Sequence, residues 1–295
     1  MKLIICFPSL FLASLSFMIF NYNSDMSYFN NKTIWITGAS SGIGRSLTIQ
    51  LAKRGANLII TARRKEELEK VKLECGNSNI HVYPFDLTDL DNLDEFSNSV
   101  QNEVGNIDIL INNAGISAWS SINETQFKVY EDVMNLDFFS VVKLTKSVLP
   151  NMIQRKEGQI VTNTSLLGKF AIKKRSVYAS AKHALHGFID ALRAEVHQYN
   201  IKVNIVAPGF VNTEVGVKAL TEDGTPYGAN DRGHESQGMD VNKAADMIIY
   251  AIEKNKRETY IVPRFGFPRV ALMISRFLPA LAAIMARRYN EANNK

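Results

Sequence analysis

The sequence predicts one doubly wound α/β domain, a parallel sheet covered by helices on both faces. Three observations predict it. Short β-branched apolar runs recur along the chain, they are apolar throughout rather than alternating, and amphipathic stretches of helical period separate them. A strand that is apolar on both faces must be covered on both, and parallel neighbours need a crossover long enough to hold a helix.

In order, the predicted strands are 33–37 (TIWIT), 57–61 (NLIIT), 80–84 (IHVYP), 107–111 (IDILI), 159–163 (QIVTN), 202–206 (KVNIV) and 259–263 (TYIVP). Between them SLTIQLAKRG, KEELEKVKLEC and VNKAADMIIYAIEKN carry helical periodicity. The stretch 212–240 is the exception: polar, glycine-containing and long, it reads as a lid over a site. The chain thus divides into a hydrophobic segment 1–25, a domain 26–263 with this lid, and a basic apolar helix 264–295.

Composition narrows the function. With 295 residues, 46% hydrophobic and 21% charged, the chain is long enough to stand on its own core. Two cysteines, Cys6 and Cys75, supply no metal-binding cluster, so no metal site is expected. The net charge of +5 lies wholly in the tail, where Arg264, Arg269, Arg276, Arg287, Arg288 and Lys295 face only Glu291. The body is neutral, which argues against a nucleic-acid partner.

The two ends leave alternatives open. Residues 3–20 are apolar at 14 of 18 positions, about 27 Å as a helix and just short of a hydrocarbon core. They read as a membrane anchor, as a secretory signal with a small-x-small site at Ser14-Leu15-Ser16, or as a segment preceding a true start at Met26. An anchor implies association with the endoplasmic reticulum or an inner membrane; a start at Met26 implies a cytoplasmic protein. The tail reads either as a helix packed on the domain or a second subunit, or as an interfacial helix on an anionic membrane, with Pro279 placed to kink it.

The first strand runs into Thr37-Gly38-Ala39-Ser40-Ser41-Gly42-Ile43-Gly44 and then a helix. Glycines at such a turn let the backbone approach a pyrophosphate, and the helix N-terminus offers unpaired N–H groups. Tyr178 and Lys182 stand four residues apart and share a helix face. A phenol titrates near 10, and a neighbouring ammonium favours the phenolate, so the pair suits proton exchange with a carbonyl or alcohol. Ser165, 13 residues ahead of Tyr178, is placed to donate a hydrogen bond to a substrate oxygen. At the end of the second strand Thr61-Ala62-Arg63-Arg64 offers no carboxylate for the ribose hydroxyls, and Arg63 and Arg64 can pair with a 2'-phosphate, which favours NADP over NAD. His183 and His186, beside the pair, read as packing residues.

The spacing TGxxxGxG resembles the short-chain dehydrogenase/reductase superfamily, and its other motifs follow in order between residues 32 and about 263. Asp86-Leu87 matches the aspartate that contacts the adenine ring, and Asn112-Asn113-Ala114-Gly115 the turn beside the cofactor. Asn135 in VMNLDFF reads as the family's helix asparagine, which holds a water linking Lys182 to solvent; Ser165, Tyr178 and Lys182 give the catalytic set. Pro208-Gly209-Phe210-Val211-Asn212-Thr213 matches the PGxVxT segment that cradles the nicotinamide end.

The resemblance implies a Rossmann-like fold and an NADP-dependent oxidoreductase that moves a hydride between nicotinamide and a carbonyl or alcohol carbon. In layout the chain is similar to the membrane-associated, hydroxysteroid-type branch. The family pairs through helices here spanning roughly 124–154 and 176–199, so a homodimer or homotetramer is expected. Ile116, Trp119, Leu166, Leu167, Phe170 and Phe210 are the expected pocket residues; mostly apolar, they point to a lipophilic substrate. A non-catalytic dinucleotide sensor or scaffold on the same fold is the alternative, which the presence of all three catalytic residues opposes. A lyase or epimerase of the extended branch carries TGxxGxxG, which this chain lacks.

Overall fold

The computed structural model describes residues 26–76, 79–228, 238–263 and 266–288. The expected anchor or signal therefore lies outside the described residues, as do the middle of the expected lid, 229–237, and the last seven residues of the tail. Seven parallel strands form one sheet in the order β3-β2-β1-β4-β5-β6-β7. They are β1 Thr33–Thr37, β2 Asn57–Ala62, β3 Ile80–Pro84, β4 Ile109–Asn112, β5 Gly158–Asn163, β6 Ile201–Pro208 and β7 Glu258–Ile261.

The period of two along each strand sorts its side chains onto two faces. Ile34, Ile36, Leu58 and Ile60 pack on one side with α1 (Gly42–Ala52) and the later helix Val241–Glu253. Trp35, Ile59, Leu110 and Ile160 pack on the other, with α3 (Leu93–Val104), α5 (Ser140–Arg155) and α6 (Ser176–Val196). α2 (Lys65–Glu74) joins the first layer through Leu68. Both faces are thus covered, as apolar strands require.

Two predicted strands are displaced, the seventh running from Glu258 to Ile261 rather than over 259–263. The fourth begins at Ile109 rather than at residue 107. Asp108 is occupied elsewhere: its carboxylate accepts the Thr33 N–H at 2.9 Å and pairs with Arg155 at 3.2 Å. Asn112 extends the strand instead, paired with Thr162.

The strand order places the site. The chain leaves β1 toward β2 and β3, then returns to lay β4 on the other side of β1, so the helices after these strands diverge. A crevice opens at the carboxyl ends of β1 and β4, the place where such sheets take ligands. The tail forms two helices rather than one: Pro279 breaks it into α8 (Phe267–Phe277) and α9 (Pro279–Arg288), α7 being Val241–Glu253.

Candidate active site

The loop after β1 forms the floor of the crevice. Gly38 has φ +65°, and a Cβ there would lie 2.8 Å from the Cα of Ala114. At Gly44 a Cβ would lie 2.2 Å from the Gly38 carbonyl oxygen. α1 starts at Gly42, and no side chain caps it from Ser41, so its first N–H groups are open to a ligand. Together these make an anion cradle under a cleft of about 420 Å³. The donors fit a dinucleotide pyrophosphate.

Most of the expected cofactor residues line that cleft: Gly38, Ser40, Ser41, Gly42, Ile43, Arg63, Arg64, Asp86, Leu87, Asn113, Ala114, Gly115, Pro208, Gly209, Val211 and Thr213. Thr37 and Gly44 do not. Thr37 is buried behind the loop, where its Oγ1 accepts the N–H groups of Asn113 at 2.9 Å and Ala114 at 3.0 Å and so ties the end of β1 to the end of β4. Gly44 supplies clearance rather than contact. Arg63 stands 4.0 Å from Asp86 with most of its side chain exposed. Glu214, Val215 and Lys218, which follow β6, also line the cleft, and sequence reasoning singled out none of them. Their segment lies against the loop after β4, Leu220 N–H donating to Ser117 O at 2.8 Å.

Ser165 stands two residues beyond β5 and caps a single turn, Leu166–Gly168, its Oγ accepting the Leu167 N–H at 3.1 Å. That bond uses a lone pair and leaves the hydroxyl hydrogen to donate. Tyr178 and Lys182 sit on α6, with the Lys182 ammonium 5.4 Å from the Tyr178 ring centre.

Asn135 borders a surface dent with Phe127, Tyr130 and Phe139, and its backbone oxygen accepts the Ser140 N–H. The side chain that meets Lys182 is Asp137, with Oδ2 2.9 Å from Nζ. The cause is local: α4 (Phe127–Met134) passes into a π turn, Asn135–Phe139, in which Ser140 N–H donates to Asn135 O. The wider turn alters which residue faces inward. An acid buried within LDFF was the signal available in the sequence.

Asp137 is 0% exposed and Lys182 4%. Burial opposes the Lys182 ammonium, but the Asp137 carboxylate and Tyr178 more than offset it, so its pKa lies above the ordinary lysine value. Burial raises the Asp137 carboxyl, against the pull of Lys182 and of the Ile116 N–H it accepts at 2.8 Å.

A second cavity of about 420 Å³ adjoins the first, and Ser165, Tyr178, Pro208, Gly209 and Val215 line both. Trp119, Leu166, Leu167, Phe170 and Phe210 line it as expected, whereas Ile116 faces the cofactor cleft. α8 and α9 close its far side through residues such as Ala271, Ile274, Ala282 and Met285. Their outer side exposes Val270, Met273, Phe277, Leu278, Leu281 and Ile284. Arg175, which the sequence did not flag, stacks on Trp119 at 4.0 Å and donates to Ser117 Oγ at 2.8 Å.

The histidines stand apart from this group. His186 is buried beneath it, its Nε2 3.2 Å from Thr164 Oγ1; burial and Lys169 push its pKa down to about 4. It is neutral at physiological pH and packs, as expected. His183 is exposed, with Nδ1 2.8 Å from Ala179 O.

The short chain dehydrogenase family model matches residues 32–223, the span from β1 through the segment after β6. The chain belongs to that family. It is accordingly an NAD(P)-dependent oxidoreductase. Among similar proteins, dehydrogenase/reductase SDR family protein 7-like of Anopheles gambiae is 37% identical, covering 98% of this chain and 92% of that protein. Human dehydrogenase/reductase SDR family member 7 is 39% identical, covering 77% of this chain and 69% of that one. Among solved structures, a short-chain dehydrogenase from Streptomyces avermitilis superposes with a TM-score of 0.73 at 28% identity, covering 90% and 98% of the two chains. One from Sphingobium yanoikuyae, in complex with NADPH, gives 0.71 at 25% identity, covering 83% and 93%.

Proposed function

We propose that this member of the family is an NADP-dependent carbonyl reductase or alcohol dehydrogenase acting on a lipophilic small molecule. One observation carries the reading: Ser165 and Tyr178 stand at the junction of a polar cleft fitted to a dinucleotide and an apolar cavity. A bound nicotinamide dinucleotide supplies the hydride. The chain's own residues do the rest. The Ser165 hydroxyl donates to the substrate oxygen and stabilises the charge that develops on it. Tyr178 gives the proton during reduction and takes it during oxidation. Lys182 holds the ribose hydroxyls and keeps a positive charge beside the phenol.

Phosphate recognition falls to Arg63 and Arg64 at the end of β2, which support NADP over NAD. The NADPH complex of the Sphingobium structure agrees with this choice. Titrating NADPH and NADH separately, by quenching of protein fluorescence, tests it: tighter NADPH binding is expected. Arg63→Asp should move the ratio of kcat/KM toward NAD by roughly ten- to a hundredfold, the loss of one charge-assisted bond. An unmoved ratio would remove Arg63 from phosphate binding.

The segment from Thr213 to Lys218 borders the cleft as a lid would. α4 to α6 supply the pairing surface of a homodimer or homotetramer, where Phe127 is 75% exposed. The outer side of α8 and α9 supports attachment to an anionic membrane, since its apolar residues are flanked by Arg269, Arg276 and Arg287. No helix among the described residues is long and apolar enough to cross a membrane, so this contact lies in the interface. Flotation with vesicles containing anionic lipid should carry the protein, and Met273→Asp with Phe277→Asp should weaken partitioning at least roughly tenfold. Equal flotation of the variant would refute the attachment.

A further inference from the structure

We propose that Asp137 is a positioning residue whose carboxylate keeps the buried Lys182 ammonium charged and fixed beside Tyr178. The inference rests on the role given to Lys182 above. The resemblance implied a water held by Asn135 between Lys182 and solvent; beyond that, a charged side chain, Asp137, stands against the ammonium.

Burial makes the pairing necessary. Each group alone would lose its hydration, so a buried lysine without a partner gives up its proton, and a buried carboxylate without one takes it up. Here each answers the other across 2.9 Å. The second carboxylate oxygen is held by the Ile116 N–H at 2.8 Å, which fixes the carboxylate plane from the loop after β4. Gly115 leaves room for the pair: a Cβ there would lie 3.2 and 3.3 Å from the two Asp137 oxygens and 3.3 Å from Lys182 Nζ. Three elements, the loop after β4, the π turn and α6, thus meet on a single ion pair.

Among the described residues no other charged side chain supports the ammonium. The groups acting on Lys182 are Asp137 from the π turn and Tyr178 from its own helix. From the end of β5 the nearby side chains of the cleft are the neutral Asn163, Thr164 and Ser165, and from the loop after β4 the uncharged Asn113, Ala114, Gly115 and Ile116. On α6, His186 faces Thr164 and Glu258, and His183 bonds Ala179 O. With the carboxylate gone, burial is left to act on Lys182 almost unopposed.

Asp137→Asn keeps the shape and an acceptor for the Ile116 N–H but removes the charge. In protein labelled with 13Cε-lysine, the Lys182 signal, assigned by its loss in Lys182→Arg, should titrate about two or more pH units lower in Asp137→Asn than in the parent, the size of a burial shift with its partner removed. A midpoint within about half a unit of the parent, on the same scale, overturns the proposal. If Asp137→Asn fails to fold, the parent protein decides: an Asp137 carboxyl carbon that is ionised at pH 7 upholds the pairing, and a protonated one overturns it. Neither reading needs turnover. Failure of the parent to reduce any carbonyl would therefore count against the proposed reaction, and an unmoved Lys182 against this inference.

Discussion

Tyr178→Phe is expected to lower carbonyl reduction by roughly two to four orders of magnitude, the usual worth of a positioned general acid, while leaving NADPH binding within about threefold. The asymmetry follows from where the ring sits. Tyr178 borders both cavities, so in the proposed reaction its hydroxyl would meet the substrate oxygen, whereas the residues that would hold the dinucleotide lie in the loop after β1, at the end of β4 and after β6. Removing one oxygen leaves the ring and the α6 packing in place. Stopped-flow hydride transfer and a fluorescence titration separate the two effects. A rate within about tenfold of the parent would show that another group delivers the proton.

How far the sequence could lead is clearest where it fell short. Strands were legible because apolar runs between helical stretches leave little freedom, and the period of two assigns Trp35 to one face and Ile34 and Ile36 to the other. The start of β4 was not, since the Asp108 carboxylate accepts hydrogen bonds from Thr33 and Arg155, a matter of tertiary partners. That Tyr178 and Lys182 share a helix face was legible from a four-residue spacing on a regular helix. The acid facing Lys182 was not, because Asp137 lies within a π turn, Asn135–Phe139, where a regular 3.6-residue period no longer says which side chain faces inward.

Motif membership also overstates contact. Thr37 and Gly44 belong to the glycine-rich signature and yet stand behind it, one as a tie between strands and the other as clearance. Pro279 signalled a break in the tail, but pattern alone cannot show that both halves turn their small residues, Ala271 and Ala282 among them, toward the apolar cavity. That depends on how the tail folds back over the loops after β5 and β6.

Gly44→Ala and Gly187→Ala should change stability in opposite directions, although both replace a helical glycine by the best helix former. Helix propensity alone favours alanine by about 1 kcal/mol at either site. At Gly187 nothing lies within 4 Å of the added carbon, so that gain is realised and Tm should rise by roughly 2–4 °C. At Gly44 the carbon would fall 2.2 Å from Gly38 O and 2.6 Å from Asn113 Nδ2. The carbonyl has no room to retreat, for Gly38 is itself in a left-handed conformation and pressed on Ala114. Overpacking of this kind costs about 3 kcal/mol, which outweighs the propensity term by about 2 kcal/mol and lowers Tm by roughly 4–8 °C. The displaced loop carries the N–H groups of the anion cradle, so NADPH affinity should fall at least roughly tenfold, one charge-assisted bond or more. Thermal melts of both variants with and without NADPH check the pair: an equal rise in Tm at both positions would mean that the loop and the start of α1 are not packed as close as the structure has them.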